Sequence, residues 1–291
     1  MSTGVIINAA LTGNVPTKAQ NPYVPVSPEE IIEDCARCVA AGASIVHLHA
    51  RDNAGLPTYR ADVYAEIVAG VRERCPDVIV CVTTSGRVHR AFDERAEVLG
   101  LDGELKPDLA SLTLGSLNFP TQASVNEPET IQRLAERMSE RGIVPELEIF
   151  DFGMVDYAKF LIDRGVLRPP FYFNLMLGSL GTLSATPFHL AALVQSLPAG
   201  STWSAGGIGR FQFLVNAMAT TMGGHVRVGI EDSLYLDPEK QRLASNVELV
   251  RRIAEVARVV ERGVATPAEA RETIGLARRA QRVTVTGGSG T

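Results

Sequence analysis

The fold is decided by a pattern that residues 27–50 show in full, SPEEIIEDCARCVAAGASIVHLHA. Ser27, Pro28 and Glu30 resemble a capping box, in which a serine caps the first helical turn and a glutamate reaches back to it. The residues that follow, EEIIEDCARCVAAG (29–42), are predicted as helix, and SIVHLHA (44–50) is predicted as a buried strand. A helix followed by a short apolar strand is the repeating unit of an α/β protein.

The same unit recurs outward from this stretch. Strands are predicted at 4–10, 44–50, 77–85, 108–115, 143–150, 170–178, 201–207 and 225–232. After the helix that begins at Ser27, helices are predicted near 60–75, 91–100, 127–142, 153–165, 187–197, 208–222, 238–262 and 265–276. Eight units in one run predict parallel strands closed into an α/β (β/α)8 TIM barrel. An open doubly wound sheet should carry G-x-G-x-x-G after the first strand, and TGNVPTK does not match it.

The composition of the chain limits its domain number, its partners and its cellular compartment. No linker interrupts the 291 residues, so 1–280 is predicted as one catalytic domain and 281–291 as a disordered tail. A net charge of −5 argues against a nucleic-acid partner. The lack of a secretory signal and of about 18 consecutive apolar residues argues against a membrane. Cys35 and Cys38 are interpreted as small apolar helix residues, which fits a reducing cytoplasm.

Two histidines end the second predicted strand. His47 and His49 are two residues apart, so both side chains face the same side of that strand. Active sites of TIM barrels lie at the carboxyl ends of the strands, where neutral imidazoles suit zinc or another first-row metal. The alternative is a pair of histidines held by ordinary hydrogen bonds. Glu231, at the end of strand eight, is the predicted third ligand, because catalytic zinc sites use about three protein ligands.

Strand eight also supplies a charge pair. Arg227 shares a face with Glu231, and Asp232 follows where the chain leaves the strand. A buried arginine near a carboxylate usually pairs with it, because either charge alone in a dry site is costly. The other three histidines, His89, His189 and His225, are predicted in positions unsuited to the metal.

Further polar residues are predicted at strand ends that face the pocket. They are Thr83 and Ser85 on strand three, Ser111 and Thr113 on strand four, Glu146 and Glu148 on strand five, and Asn174 on strand six. Two carboxylates facing into a barrel are costly unless they are paired, hydrogen-bonded or functional. Together these residues predict a polar substrate pocket above a metal.

The loop after strand seven is a candidate phosphate site. Gly206 and Gly207 permit close approach of a ligand to the backbone, and Arg210 adds positive charge at the start of a helix. A tight structural turn explains the same glycines nearly as well.

Several of these blocks together resemble the β-keto acid cleavage enzyme family. They are Thr12, Gly13, Thr17 and Lys18 near the N-terminus, PVSPEE (25–30), AGASIVHLHARD (41–52), PDLASLTLGSLNF (107–119), PELEIFDFGM (145–154), WSAGGIGR (203–210) and GGHVRVGIEDSLYL (223–236). The resemblance covers about residues 4–276.

The resemblance implies a zinc-dependent barrel with two histidines and a glutamate on the metal, here His47, His49 and Glu231. It implies that a β-keto acid reacts with acetyl-CoA to give acetoacetate and a new acyl-CoA. Asp232 would match the acid/base residue of the family and Arg227 its charge partner. Thr83 would stand where some members have a serine near the reacting carbonyl. Ser111 and Glu146 or Glu148 would fall in the substrate pocket.

One position departs from the aminohexanoate-cleaving members of the family. They carry a glutamate that binds the ammonium of the substrate, where this chain has the apolar Val15. Burying an ammonium without a carboxylate costs several kcal/mol. An uncharged tail, aliphatic or hydroxylated, is therefore predicted for the keto acid.

Two other functions remain open on the residues alone. One is a metal-dependent hydrolase or aldolase on the same barrel, and the other is a non-catalytic metal-binding protein. Amidohydrolase barrels carry histidines on strands five and six, and PELEIF and FYFNLML have none. A symmetric homo-oligomer, dimer or tetramer, is expected for a barrel of this kind.

Overall fold

The computed structural model describes residues 4–277, in which eight parallel strands form a closed barrel. The strands are β1 (Ile7–Ala10), β2 (Ile45–Leu48), β3 (Ile79–Val82), β4 (Leu109–Thr113), β5 (Val144–Ile149), β6 (Tyr172–Leu177), β7 (Thr202–Gly207) and β8 (His225–Val228). Each pairs with its neighbour in sequence, and β1 also pairs with β8, which closes the sheet. The predicted TIM barrel is confirmed. The predicted tail, 281–291, lies outside the described residues.

Helices connect the strands around the outside of the barrel. They are α1 (Pro28–Ala40), α2 (Ala61–Arg74), α3 (Phe92–Ala96), α4 (Pro128–Arg141), α5 (Phe152–Asp163), α6 (Pro187–Ser196), α7 (Gln212–Thr221), α8 (Asn246–Val259) and α9 (Pro267–Ile274). The capping box predicted at the start of α1 is present: the Ser27 hydroxyl accepts from the Glu30 N–H, and the Glu30 carboxylate accepts from the Ser27 N–H. None of the described helices is long and apolar enough to cross a membrane.

Two predicted helices differ from the structure. The helix predicted to begin at 238 begins at Asn246, because Asp237 accepts hydrogen bonds from the backbone N–H groups of Gln241 and Arg242 and so closes a turn. A bridge between Tyr235 and Leu243 holds this loop together. The helix predicted over 91–100 is the short α3 followed by a 3-10 turn.

The carboxyl ends of the strands carry the irregular structure. Two small hairpins lie in the loops there, Ala50–Arg51 with Pro57–Thr58 and Leu117–Asn118 with Ala123–Ser124. Strand β8 stops at Val228, earlier than predicted, because Gly229 lies against the backbone of β1. A β-carbon at Gly229 would meet the Ala10 carbonyl oxygen at 1.9 Å. The chain therefore turns, and Glu231 follows the strand directly.

The opposite end of the barrel is filled by apolar side chains. Ile6, Ile45, Ile79, Leu109 and Tyr172 form one buried cluster there with residues of α9. Further along β4 and β5 the register pairs Ser111 with Glu146 and then Thr113 with Glu148. The interior therefore changes from apolar to polar along the strands, and the polar layers lie toward the carboxyl ends.

Candidate metal centre and active site

A cavity of about 310 Å³ opens at the carboxyl ends of the strands. Eleven of the sixteen residues predicted for the site line it: Val15, His47, His49, Thr83, Ser85, Thr113, Glu148, Arg210, Arg227, Glu231 and Asp232. The other five, Ser111, Glu146, Asn174, Gly206 and Gly207, are not in its wall. The polar strand ends thus meet in one place, as a barrel requires.

Two histidines and a glutamate converge at the floor of this cavity. The Nε2 atoms of His47 and His49 are 3.3 Å apart. The Glu231 Oε1 atom lies 3.1 Å from His49 Nε2, and its Oε2 atom lies 3.9 Å from His47 Nε2. The three ligand atoms all lie within 4.8 Å of one another.

The outer nitrogens of both rings are engaged elsewhere. His47 Nδ1 lies 3.0 Å from the carboxylate of Glu146, and His49 Nδ1 lies 3.0 Å from the amide oxygen of Asn14. Both partners are acceptors, so both Nδ1 atoms carry the proton and both Nε2 atoms point lone pairs into the cavity. Two lone pairs and a carboxylate facing each other at these distances repel unless a cation lies between them.

The charge of Glu231 also favours a cation between the three side chains. Burial raises its pKa, but His49 and Arg227 hold the pKa of this carboxyl well below its usual range. The carboxylate is therefore ionised, and its Oε2 atom is buried without a hydrogen-bond partner. Two neutral imidazoles and one carboxylate are a donor set of catalytic zinc sites, so the residues present fit a zinc ion.

Arg227 organises the acids around this site. Its Nε donates to Asp232 Oδ2 at 2.9 Å and its Nη2 lies 2.8 Å from Glu231 Oε1. Its Nη1 donates to Glu148 Oε1 at 3.2 Å. Burial raises the pKa of Asp232, and Arg227 opposes that rise. The predicted pairing of Arg227 with a carboxylate is confirmed, and one guanidinium serves three acids.

The two glutamates of β5 have different positions. Glu148 lines the cavity and accepts a hydrogen bond of 2.6 Å from the Thr113 hydroxyl. Glu146 is fully buried one layer deeper, where it contacts His47 Nδ1 and accepts from Asn8 Nδ2 at 2.5 Å. Glu148 is thus the one that a substrate can reach, and Glu146 orients the ring of His47.

Two predicted pocket residues lie below the cavity instead. The Ser111 hydroxyl accepts from the backbone N–H of Thr84 at 3.2 Å, so it braces the neighbouring strand end. The amide oxygen of Asn174 accepts from the Ser204 hydroxyl at 3.1 Å within the barrel interior. Both belong to layers deeper than Thr113 and Glu148.

Gly206 and Gly207 are the last two residues of β7 and pack closely against other parts of the chain. A β-carbon at Gly206 would meet the sulfur of Met176 at 2.9 Å, and one at Gly207 would meet the Phe211 carbonyl oxygen at 2.3 Å. The glycines therefore allow protein atoms, and no ligand, to approach. Arg210 is exposed at the cavity rim, with its guanidinium 4.8 Å from the centroid of the Phe211 ring.

Residues 4–276 match the family model of the beta-keto acid cleavage enzyme. The chain belongs to the β-keto acid cleavage enzyme family. It is 41% identical over 278 residues to a 3-keto-5-aminohexanoate cleavage enzyme of Fusobacterium nucleatum, covering 95% of this chain and 99% of the relative. It is 36% identical over 280 residues to a 3-oxoadipate:acetyl-CoA acetyltransferase of Cupriavidus necator, covering 95% and 96%.

A solved structure gives the same fold. The complex of ObcA with oxaloacetate aligns with a TM-score of 0.79 at 25% identity, covering 88% of this chain and 68% of the other. The resemblance to β-keto acid cleavage enzymes noted in the sequence is thus confirmed, and the chain is an enzyme.

Three residues at the site of this β-keto acid cleavage family member escaped the sequence analysis. Asn14 orients His49 from the loop after β1, and Cys81 lies 3.5 Å from the Glu146 carboxylate. Arg87 lines the cavity from the loop after β3. Asn14 and Arg87 come from loops whose paths the strand periodicity does not determine, and Cys81 sits in an apolar run where a thiol gives no signal.

Proposed function

We propose that this chain is a zinc-dependent enzyme that condenses a β-keto acid with acetyl-CoA to give acetoacetate and a new acyl-CoA. One observation carries the proposal: His47, His49 and Glu231 converge in a cavity that Asp232 also lines. A metal site beside a positioned carboxylate suits removal of a proton next to a ketone. The name of the Cupriavidus necator relative specifies acetyl-CoA as the co-substrate of that protein.

Zinc held by His47, His49 and Glu231 would act as a Lewis acid that makes the C–H bond beside the ketone acidic. Asp232 is the group that takes this proton. Its two carboxylate oxygens are held by Nε and Nη2 of Arg227 at 2.9 and 3.3 Å, which fixes its orientation. Arg227 also pairs with Glu148 and Glu231, so its single positive charge is shared among three carboxylates, including that of Asp232.

The remaining steps rearrange two acyl groups. After Asp232 has taken the proton from C2 of the keto acid, C2 attacks the carbonyl carbon of acetyl-CoA, and the CoA thiolate leaves. The thiolate then attacks the ketone carbon C3, and the bond between C2 and C3 breaks. The proton on Asp232 returns to C2, so the products are acetoacetate and the acyl-CoA of the tail.

Hydroxyl groups on the cavity wall would hold the carbonyl oxygens during these steps. Thr83, Ser85 and Thr113 all line the cavity. The Thr113 hydroxyl already donates to Glu148, so Thr83 is the better placed to donate to substrate. Arg210, at the rim, is the part of the β7 loop that remains available to a phosphate of acetyl-CoA.

We propose further that the tail of the keto acid carries no ammonium group. Val15 stands on the cavity wall and is 44% exposed, so the wall has an apolar side chain where an ammonium would need an acid. The uncharged tail predicted from the sequence is the simplest form of this proposal. Values of kcat/KM for 3-oxohexanoate and 3-keto-5-aminohexanoate test it, and a clear preference for the amino compound would refute it.

The test of the reaction is product analysis by mass spectrometry. Zinc-loaded protein is incubated with acetyl-CoA and a panel of β-keto acids, each with and without a chelator. Chelator-sensitive formation of acetoacetate and a new acyl-CoA is the expected result. If metal-replete protein forms no acyl-CoA from any member, the proposal fails and a metal-dependent hydrolase or aldolase becomes the better assignment.

We also propose that the protein works in a reducing cytoplasm and forms a symmetric homo-oligomer. All four cysteines are free and buried, which needs no oxidising compartment. Leu180 and Phe188 are 71% and 74% exposed, and exposed large apolar side chains are frequent at subunit contacts. Light scattering on the purified protein gives the assembly directly.

A further inference from the structure

The cavity wall carries two cations that the proposed reaction does not use, Arg87 and Lys240, and Lys240 lies in the exposed loop before α8. Arg87 is half-buried and lines the cavity together with Thr83 and Ser85, which precede it in the same loop. Its guanidinium makes no hydrogen bond or ion pair with any residue from 4 to 277, and its Nε atom is buried without a partner. A partly desolvated guanidinium without a counterion is costly, so an anionic group is missing from its surroundings.

The guanidiniums of three other arginines near the cavity have acceptors within the protein. Arg95 donates to the Thr84 carbonyl and to the Asn126 amide oxygen at 2.7 and 2.8 Å. Arg51 donates to backbone carbonyls, and Arg227 is surrounded by carboxylates. All three guanidiniums therefore interact with acceptors of the protein. The guanidinium of Arg87 does not, so its N–H groups are free to bind a ligand in the cavity.

The position of Arg87 is fixed by packing. Its guanidinium carbon lies 4.0 Å from the centroid of the Phe119 ring, so the ring covers one face of the cation. The preceding Gly86 lies so close to the Val125 carbonyl that a β-carbon would meet its oxygen at 2.3 Å. Contact through its face leaves the N–H edge of a guanidinium free, which is the edge that binds carboxylate and phosphate bidentately.

The rest of the cavity supplies no partner for this charge. Arg227 already pairs with three of the acids that line the cavity, Glu148, Glu231 and Asp232. The fourth, Asp237, accepts hydrogen bonds from backbone N–H groups of its own loop. Val15 excludes an ammonium but adds no charge. If the bound substrate had an uncharged tail, Arg87 would still lack a counterion, as it does in the free protein.

We propose that Arg87 binds an anionic group of a substrate, and that this group is a second carboxylate on the tail of the β-keto acid. The inference rests on the proposed function and replaces its uncharged tail with a negatively charged one, which still carries no ammonium group. The same chemistry would suit a phosphate of acetyl-CoA, and kinetics separate the two sources.

The matched substrates are 3-oxoadipate and 3-oxohexanoate, which share a carbon chain and differ by one carboxylate. Wild type should prefer the diacid. Arg87→Met should lower kcat/KM for the diacid by about tenfold to a hundredfold, the range of a lost charged hydrogen bond, and leave the monoacid unchanged. Arg87→Lys should keep part of the preference. Arg90→Met removes an exposed arginine of the same loop that does not line the cavity, and should match wild type.

Two outcomes overturn the assignment. If Arg87→Met raises the KM for acetyl-CoA and leaves the ratio of diacid to monoacid unchanged, the anion belongs to the co-substrate. If no constant changes, Arg87 binds no anion.

A binding measurement separates failure of this inference from failure of the proposed function. Calorimetry with adipate and hexanoate needs no turnover. Adipate should bind wild type more tightly than hexanoate does, and Arg87→Met should remove the difference. Equal binding of both acids by wild type would refute the inference even in an active enzyme. A retained preference for adipate would support it even if no keto acid is cleaved.

Discussion

Among single side chains, Asp232 is the one whose removal should separate chemistry from metal binding. We expect Asp232→Asn to retain its zinc, because His47, His49 and Glu231 are untouched, and to lose turnover by about 10²–10⁴-fold, the usual worth of a general base. Steady-state kcat and metal analysis of the same preparation provide the check. A variant with nearly normal kcat would show that another group takes the proton.

His47 should behave in the opposite way. Its Nε2 atom is one of the three converging ligand atoms, so His47→Ala should lose both the metal and the activity. Elemental analysis after dialysis measures the first and product formation the second. A His47→Ala protein that keeps one zinc per chain would remove His47 from the ligand set.

Glu146 should affect the metal without touching it. Its carboxylate faces His47 Nδ1 at 3.0 Å, and such partners of a ligating histidine typically contribute 10- to 100-fold in metal affinity. We expect Glu146→Gln to weaken zinc binding by roughly that factor while the fold is kept. Competition with a chromogenic chelator measures the affinity, and wild-type affinity would contradict the orienting role.

The shared face of His47 and His49 was predictable from the sequence, and the depth of Glu146 was not. His47 and His49 share a face because the side-chain period of a strand is two, whatever the rest of the fold does. Glu146 and Glu148 share a face for the same reason, so periodicity cannot say which lies deeper. Their depth follows from the register of β5 against β4, which pairs Glu146 with Ser111, and the sequence carries no local sign of it.

For the elements, α8 shows how a helix start can support the site. Asn246, the first residue of α8, accepts from the Ile230 N–H at 2.7 Å and donates to the Leu11 carbonyl and the Asp34 carboxylate at 2.9 and 2.7 Å. It therefore joins α8, the loop after β1, α1 and the turn that carries Glu231.

Removing that side chain should cost more than removing an ordinary cap. Asn246→Ala leaves several buried polar groups without partners, so we expect a loss of about 3 kcal/mol in the free energy of unfolding. Ser27→Ala, at the exposed start of α1, should cost about 1 kcal/mol and serves as the comparison. Urea denaturation gives both values. Equal losses would mean that the buried hydrogen bonds of Asn246 contribute no more than the cap at Ser27.

Helices and strands of the barrel follow their local patterns more closely than the loops do. The predicted strand at 44–50 contains β2, and the predicted helix at 127–142 matches α4, because apolar period and caps act locally. The stretch 238–245 has helix-forming residues, yet hydrogen bonds to Asp237 and the Tyr235–Leu243 bridge compete successfully for its backbone. Loops of this kind also carry Asn14 and Arg87, so the details of the cavity wall were harder to predict than the shared face of His47 and His49.

On the scale of the whole barrel, chemistry and stability lie at opposite ends. The carboxyl ends of the strands carry His47, His49 and Glu231, and the apolar cluster around Ile45 and Tyr172 fills the other end. His225, at the start of β8, belongs to that second end: its Nδ1 atom accepts a hydrogen bond of 3.0 Å from the Ile6 N–H. His225 does not line the cavity.

This separation predicts an acid sensitivity that does not involve the active site. Burial, with help from the charge of Arg262, lowers the pKa of His225 to about 4, against about 6.5 in an unfolded chain. Between these values the unfolded state binds more protons, so the stability that neutral His225 contributes is full above pH 6.5 and is lost as the pH falls toward 4. The loss amounts to about 3 kcal/mol at its limit.

His225→Asn keeps an acceptor near Ile6 but cannot titrate. The free energy of unfolding of wild type should therefore fall more steeply from pH 6.5 to pH 4 than that of the variant, whatever the variant costs at neutral pH. Because His225 is distant in the fold from the metal ligands, kcat at pH 7 should be the same in both proteins. Parallel stability curves would mean that His225 becomes protonated in the native state without cost, and the acid sensitivity would then have to come from other buried groups.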